Sequence, residues 1–225
     1  MRITGILILL WLSNTAIAQI GIKAGYLSQQ SIGFELVQDQ TSAVAKPVTD
    51  PTLSYSMDYW FRLKKFRIEF IPELNFSRYK ISLLDQPRLR TGQYSFFFNI
   101  LLYPFDWNND CDCPTFTKQG NFLSKGFYIY LSPGVSLLSE EPLLPEIEGN
   151  SGIYGSFAAG AGIDFGIRNR LTLSPEIGLR YFFGYPRENL GTIADIKKGY
   201  SQDTNNASLL QLVPALRVRF RFDQY

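Results

Sequence analysis

The sequence predicts an all-β protein: an eight-stranded antiparallel up-and-down transmembrane β-barrel. Three observations predict it. Apolar and polar side chains alternate with a period of two over long stretches, a leader-like segment precedes them, and long connections alternate with short ones. The alternation is sharpest in Leu53-Ser-Tyr55-Ser-Met57-Asp-Tyr59-Trp-Phe61-Arg-Leu63. It resumes after Lys64-Lys65 as Phe66-Arg-Ile68-Glu-Phe70-Ile-Pro72-Glu-Leu74-Asn-Phe76. Successive strand side chains point to opposite faces, so one face is apolar and the other carries Asp58, Arg62, Arg67, Glu69 and Glu73. The period fits a strand and not a helix.

Residues 1–18 read as a cleavable export signal. Arg2 supplies a positive start, Ile6 to Leu12 is an apolar core too short to span a bilayer, and Ala16-Ile17-Ala18 is a small-x-small cleavage site. A retained membrane anchor is the competing reading. No Cys follows the cleavage site, so lipid attachment is not expected there. Residues 19–225 then form one barrel domain, with no internal repeat, low-complexity tract or linker.

Strands are expected near 20–29, 53–63, 66–77, 92–105, 126–138, 152–167, 171–184 and 208–222. The fourth places Tyr94, Phe96, Phe98, Ile100 and Leu102 on one face. The fifth does the same with Phe127, Ile129, Leu131, Val135 and Leu137. The sixth is rich in glycine and alanine, which reads either as a path for a small ligand or as room for long side chains from neighbouring strands. The seventh sets Ile177, Leu179 and Tyr181 against Ser174, Glu176 and Arg180. The last sets Leu212, Leu216, Val218 and Phe220 against Gln211, Arg217, Arg219 and Arg221.

The connections 30–52, 78–91, 139–151 and 185–207 are expected to be long, and those at Lys64-Lys65 and 168–170 tight. This matches long external loops and short periplasmic turns. The connection 106–125 breaks the pattern: it is long on the side where turns are short. Periodicity leaves the direction of the apolar face open, and a secreted, lipocalin-like soluble barrel would alternate similarly with apolar residues inside. Charges of both signs on the polar face, aromatic residues such as Tyr55, Tyr181 and Phe183 near strand ends, and the loop asymmetry favour lipid outside.

Composition excludes several functions. The formal net charge is +2, and loss of Arg2 lowers it by one, so no global field draws the chain to nucleic acid. The 18 Phe and 13 Tyr suit a barrel surface, while mean hydropathy stays close to zero. The chain has no histidine. The imidazole base of Ser-His chemistry and histidine-based metal sites are therefore unavailable. A carboxylate raised by burial could act as a base, with Glu69, Glu73, Asp164 and Glu176 as candidates by lumen position. The favoured reading is a structural ion-pair network of Asp58, Glu69, Glu73, Asp164 and Glu176 with Arg62, Arg67, Arg180, Arg217 and Arg219, because unpaired buried charges are costly. No enzyme activity, cofactor or metal is expected. Cys111 and Cys113, a C-x-C pair, read as a candidate local disulfide, as free or intermolecular thiols, or as part of a mixed metal site.

Tyr103-Pro-Phe-Asp106, Cys111-Asp-Cys-Pro-Thr-Phe116, Gly120-Asn-Phe122, Lys125-Gly-Phe127 and Ser132-Pro-Gly-Val135 resemble small outer-membrane β-barrel proteins of Bacteroidota, called porin-family or PorT-like. The resemblance implies an eight-stranded barrel in the cell outer membrane, without one shared activity and without catalytic residues to carry over. Asp223-Gln-Tyr225 departs from the in-phase aromatic end common in such chains. The expected role is non-enzymatic: structural, binding or partner-docking, with outer-membrane lipid around the barrel and a periplasmic protein partner through loop 106–125. Small-solute transport or ligand binding is the alternative, with no ligand identified.

Overall fold

A computed structural model describes residues 19–32, 36–38, 44–45, 48–62, 68–83, 86–105, 126–143, 148–168, 171–185, 200–202 and 208–221; Arg62 is described in its backbone only. Arg67, Cys111, Cys113, the leader 1–18 and the connection 106–125 lie outside the described residues.

Eight strands form the wall. They are β1 (Gln19–Ile32), β2 (Thr52–Arg62), β3 (Ile68–Leu83), β4 (Gln86–Leu102), β5 (Phe127–Pro142), β6 (Asn150–Ile163), β7 (Leu171–Phe182) and β8 (Ser208–Arg221). Each pairs antiparallel with its sequence neighbours, and β8 closes the ring on β1 from Gln19↔Arg221 to Ile32↔Ser208. Beyond Asp164 the sixth wall position continues as Phe165–Arg168 against β7. The class is a closed eight-stranded antiparallel up-and-down barrel.

The direction of the faces decides the solvent. Met57, Leu74, Phe96, Leu131, Ile177 and Leu216 are exposed on the outer wall, while Asp58, Glu73, Asn99, Glu176, Arg180 and Arg217 are buried inside. A soluble barrel would have the reverse arrangement, so the lipocalin-like alternative falls and the barrel is transmembrane. Aromatic rings band the outer wall at two levels. Near the end where β1 starts and β8 finishes, Phe70 lies 5.4 Å from Phe61 and 5.8 Å from Phe98, centroid to centroid. Towards the other end, Phe76 and Tyr94 stand 5.0 Å apart and Tyr181 and Phe183 4.9 Å apart. These are the interfacial girdles of a membrane barrel.

The expected long connection at 78–91 is corrected. β3 and β4 stay paired through Lys80↔Arg90 and Ile81↔Leu89 up to Leu83↔Gln86. The alternation continues there with its polarity inverted: Arg78 and Lys80 point outward, and Tyr79, Ile81 and Leu89 are buried. A wall that leaves the membrane meets water outside, so the apolar side chains change face. The connection expected at 139–151 also shortens, because Glu140 of β5 pairs with Asn150 of β6. Val48–Thr49 adds to the edge of β3 at Ser82 and Ile81.

Candidate functional site

The site is the barrel lumen. Its centre is Glu73 on β3, placed inward because Leu74 faces lipid and the strand alternates. Glu73 Oε2 lies 2.6 Å from Lys23 Nζ, 2.9 Å from Arg217 Nη2 and 3.1 Å from Asn99 Nδ2. Its Oε1 accepts from Ser56 Oγ at 2.8 Å and from Arg180 Nη2 at 3.4 Å. Glu176 Oε1 shares two of these cations, 3.1 Å from Lys23 Nζ and 3.4 Å from Arg217 Nη2. Arg217 Nε reaches Asp58 Oδ2 at 3.2 Å. Arg180 also donates to Asn75 Oδ1 at 3.0 Å and lies 4.9 Å from the centroid of the Phe97 ring.

A second group sits towards the end where β1 starts. Arg219 lies between Glu69 at 3.5 Å and Asp164 at 3.6 Å. The Tyr103 hydroxyl is 2.8 Å from both carboxylates and bridges them. Ser174 Oγ donates to Asp164 Oδ1. Tyr128 stands between the two groups: its hydroxyl donates to Glu176 Oε2 at 2.9 Å and its ring lies 5.8 Å from that of Tyr103. The cations Lys23, Arg180, Arg217 and Arg219 thus face the carboxylates Asp58, Glu69, Glu73, Asp164 and Glu176, all of them buried. Removing one partner from such a buried set leaves an uncompensated charge, which is costly.

Apolar groups close both sides of this network. Trp60, Ile71, Leu101, Tyr103, Tyr128 and Tyr130 pack together towards the end where β1 starts. Phe97, Leu138, Ala158, Phe182, Tyr185 and Leu209 pack towards the other end, where Tyr185 donates to Glu140. Between them, Gln211 Nε2 donates to Gln93 Oε1 at 2.8 Å, and Ser136 Oγ donates to Ser95 Oγ at 2.7 Å. The glycines of β6 make space for this packing. Tyr130 lies over Gly160 and Gly178, and Tyr128 lies over Gly162. An aromatic ring covering a cross-strand glycine fills the gap that the missing side chain leaves. Of the two readings of β6, the packing is that of accommodated neighbours.

The structure brings together Asp58, Glu69, Glu73, Asp164, Glu176, Arg180, Arg217 and Arg219. The backbone of Arg62 pairs with Glu69, and Arg67 is outside the described residues. Sequence reasoning missed Lys23, the shortest ion-pair contact of Glu73. The signal was present: Ile20 and Ile22 face lipid, so Lys23 faces inward. It is the only charge in a strand otherwise made of small, apolar and neutral polar residues, and so draws little notice. Among the described residues, no cluster of three or more His, Cys, Asp or Glu could hold a metal ion.

Membership of the class, a closed eight-stranded transmembrane barrel, rests on the wall and lumen just described. No protein-family model matches the sequence, and a search of curated proteins finds no match. Among solved structures, the chain is similar to Neisserial surface protein A at 12% identity, covering 91% of this chain and 97% of that one, with a TM-score of 0.48. It is similar to the outer membrane protein OprG from Pseudomonas aeruginosa at 11% identity, covering 92% and 98%, with a TM-score of 0.47. It is also similar to Ail, the attachment invasion locus protein of Yersinia pestis, at 10% identity, covering 90% and 99%, with a TM-score of 0.39. These values describe fold likeness only.

Proposed function

We propose that this chain is a non-enzymatic barrel of the bacterial outer membrane with a structural, binding or partner-docking role in the cell envelope. The observation that carries the reading is the filled lumen, in which Glu73 ties β1, β2, β4, β7 and β8 to β3 through side chains. A lumen occupied by side chains in this way argues against an open pore and puts the chemistry available to a partner on the loops and rims. The absence of histidine removes the imidazole base of Ser-His chemistry, and the lumen carboxylates that could replace it are engaged with cations. Export through the leader 1–18, kinship with PorT-like barrels of Bacteroidota, and a periplasmic partner docking on 106–125 belong to the same proposal. They rest on the sequence features given above.

Planar-bilayer recording of the purified, refolded chain tests the reading. Baseline current without resolved openings is the expected result. Stepwise conductance at modest voltage would overturn it in favour of solute transport.

A further inference from the structure

We propose that the outer wall of β3, β4 and β5 holds a membrane lipid with a phosphate headgroup of net negative charge, seated on Arg78, Lys80 and Arg90, and an acyl chain in the groove below them. The inference rests on the transmembrane barrel and goes beyond the envelope role. Lys80 is directly opposite Arg90 in the β3–β4 register, and Arg78 is opposite Gly92. Like charges directly across a strand pair repel unless an anion lies between them. Among the described residues, the carboxylate in ion-pair reach of these three cations is Glu141, 3.9 Å from Arg90 and with 61% of its side chain exposed, while Asp50 adjoins Lys80 through its backbone N–H. One loosely held carboxylate does not balance three cations.

The space for a headgroup is also present. A Cβ added at Gly92 would meet no atom within 4 Å, so a notch opens among Arg78, Arg90 and Tyr94. The next row towards the membrane is the Phe76–Tyr94 ring pair. From this ring pair an apolar groove of about 660 Å³ runs along the outer wall, its lining including Leu74, Phe76, Tyr94, Phe96, Val135 and Leu137 and reaching Met57 on one side and Ile153 on the other. Cations, interfacial rings and an apolar groove thus follow one another down the same wall. An amphiphile presents the matching order of phosphate, glycerol or sugar, and hydrocarbon. Basic clusters at a membrane surface attract anionic headgroups in this way. Inorganic phosphate would satisfy the cations and leave the groove empty, and a zwitterionic lipid would fill the groove and leave the cations unbalanced.

The test is native mass spectrometry of the full chain in micelles supplied with phosphatidylglycerol, with phosphatidylcholine as the zwitterionic comparison of zero net charge. The wild type is expected to retain phosphatidylglycerol about tenfold or more over phosphatidylcholine, and the triple variant Arg78→Gln/Lys80→Gln/Arg90→Gln to lose that preference. Val135→Trp fills the groove while leaving every charge in place, and is expected to lower retention as well. Equal retention of both lipids by the wild type would overturn the proposal. So would unchanged preference in the triple variant, unchanged retention in Val135→Trp, or displacement of bound lipid by millimolar inorganic phosphate. None of these readouts depends on conductance, so this proposal and the sealed-lumen reading stand or fall separately.

Discussion

Met57 lies midway along the outward row of β2, between Tyr55 and Tyr59, with 61% of its surface exposed. Its neighbour on the opposite face, Ser56, donates to Glu73 in the lumen. One residue of displacement along the chain therefore separates hydrocarbon from a charged interior. Met57→Arg should destabilise the barrel by about 2–4 kcal/mol, the cost of a cation near the bilayer midplane. Ser56→Ala should cost about 1 kcal/mol, because Glu73 keeps its three cations. Urea titrations of the folded fraction in lipid vesicles compare the two variants. A serine variant more damaging than the arginine variant would contradict the face assignment. The cations themselves are held more strongly: losing Glu73 would leave Lys23, Arg180 and Arg217 to share Glu176 and Asp58, a deficit of the kind that costs about 3–5 kcal/mol in a buried pair.

At the scale of elements, β5, β6 and β7 fit by exchange of volume. Tyr128 and Tyr130 of β5 project over Gly160, Gly162 and Gly178, which have no side chain to oppose them. A methyl group at Gly178 would meet the Tyr130 hydroxyl first. Gly178→Ala should therefore destabilise by about 1–3 kcal/mol through overpacking. Tyr130→Phe removes the atom that is met first, so the double variant should recover part of the loss. A double-mutant cycle should return a coupling of about 0.5–3 kcal/mol. A coupling of zero would mean that the ring does not occupy the space over Gly178. The β3–β4 hairpin follows a different rule. Its inner Tyr79, Ile81 and Leu89 are buried while Arg78 and Lys80 face out, so it extends the wall into water beyond the girdle.

For the whole molecule, closure is the organising fact. β4 and β5, which flank the connection 106–125, are paired from Leu102↔Ile129 to Leu89↔Pro142, and each is paired on its other side as well. The wall does not depend on the chain between them for its register. Deletion of residues 108–119 should leave a barrel with heat-modifiable gel mobility and an unfolding midpoint close to that of the full chain. It should also abolish crosslinks to any periplasmic partner in intact cells. A deletion variant that fails to assemble would make the connection part of the barrel, and crosslinks that persist would place the docking surface elsewhere.

The sequence by itself determined the strands, their number and which residues share a face. The reason is local: alternation is written into neighbouring residues, as in Leu53 to Phe76, and needs no knowledge of the partner strand. It determined the opposition of charged and apolar faces in β2, β3, β7 and β8 for the same reason. Three things waited for the tertiary structure. The direction of the faces was favoured by the charged rows and the loop asymmetry but fixed only by the burial of Asp58, Glu73 and Arg217 inside the ring, since a period of two is symmetric between inside and outside. The extent of the β3–β4 hairpin was hidden because the apolar residues change face at Arg78, and a pattern that follows one face stops there. The arrangement of the ion network is long-range: Lys23 and Arg217 both reach Glu73 from strands that are distant in sequence and adjacent only because β8 closes on β1.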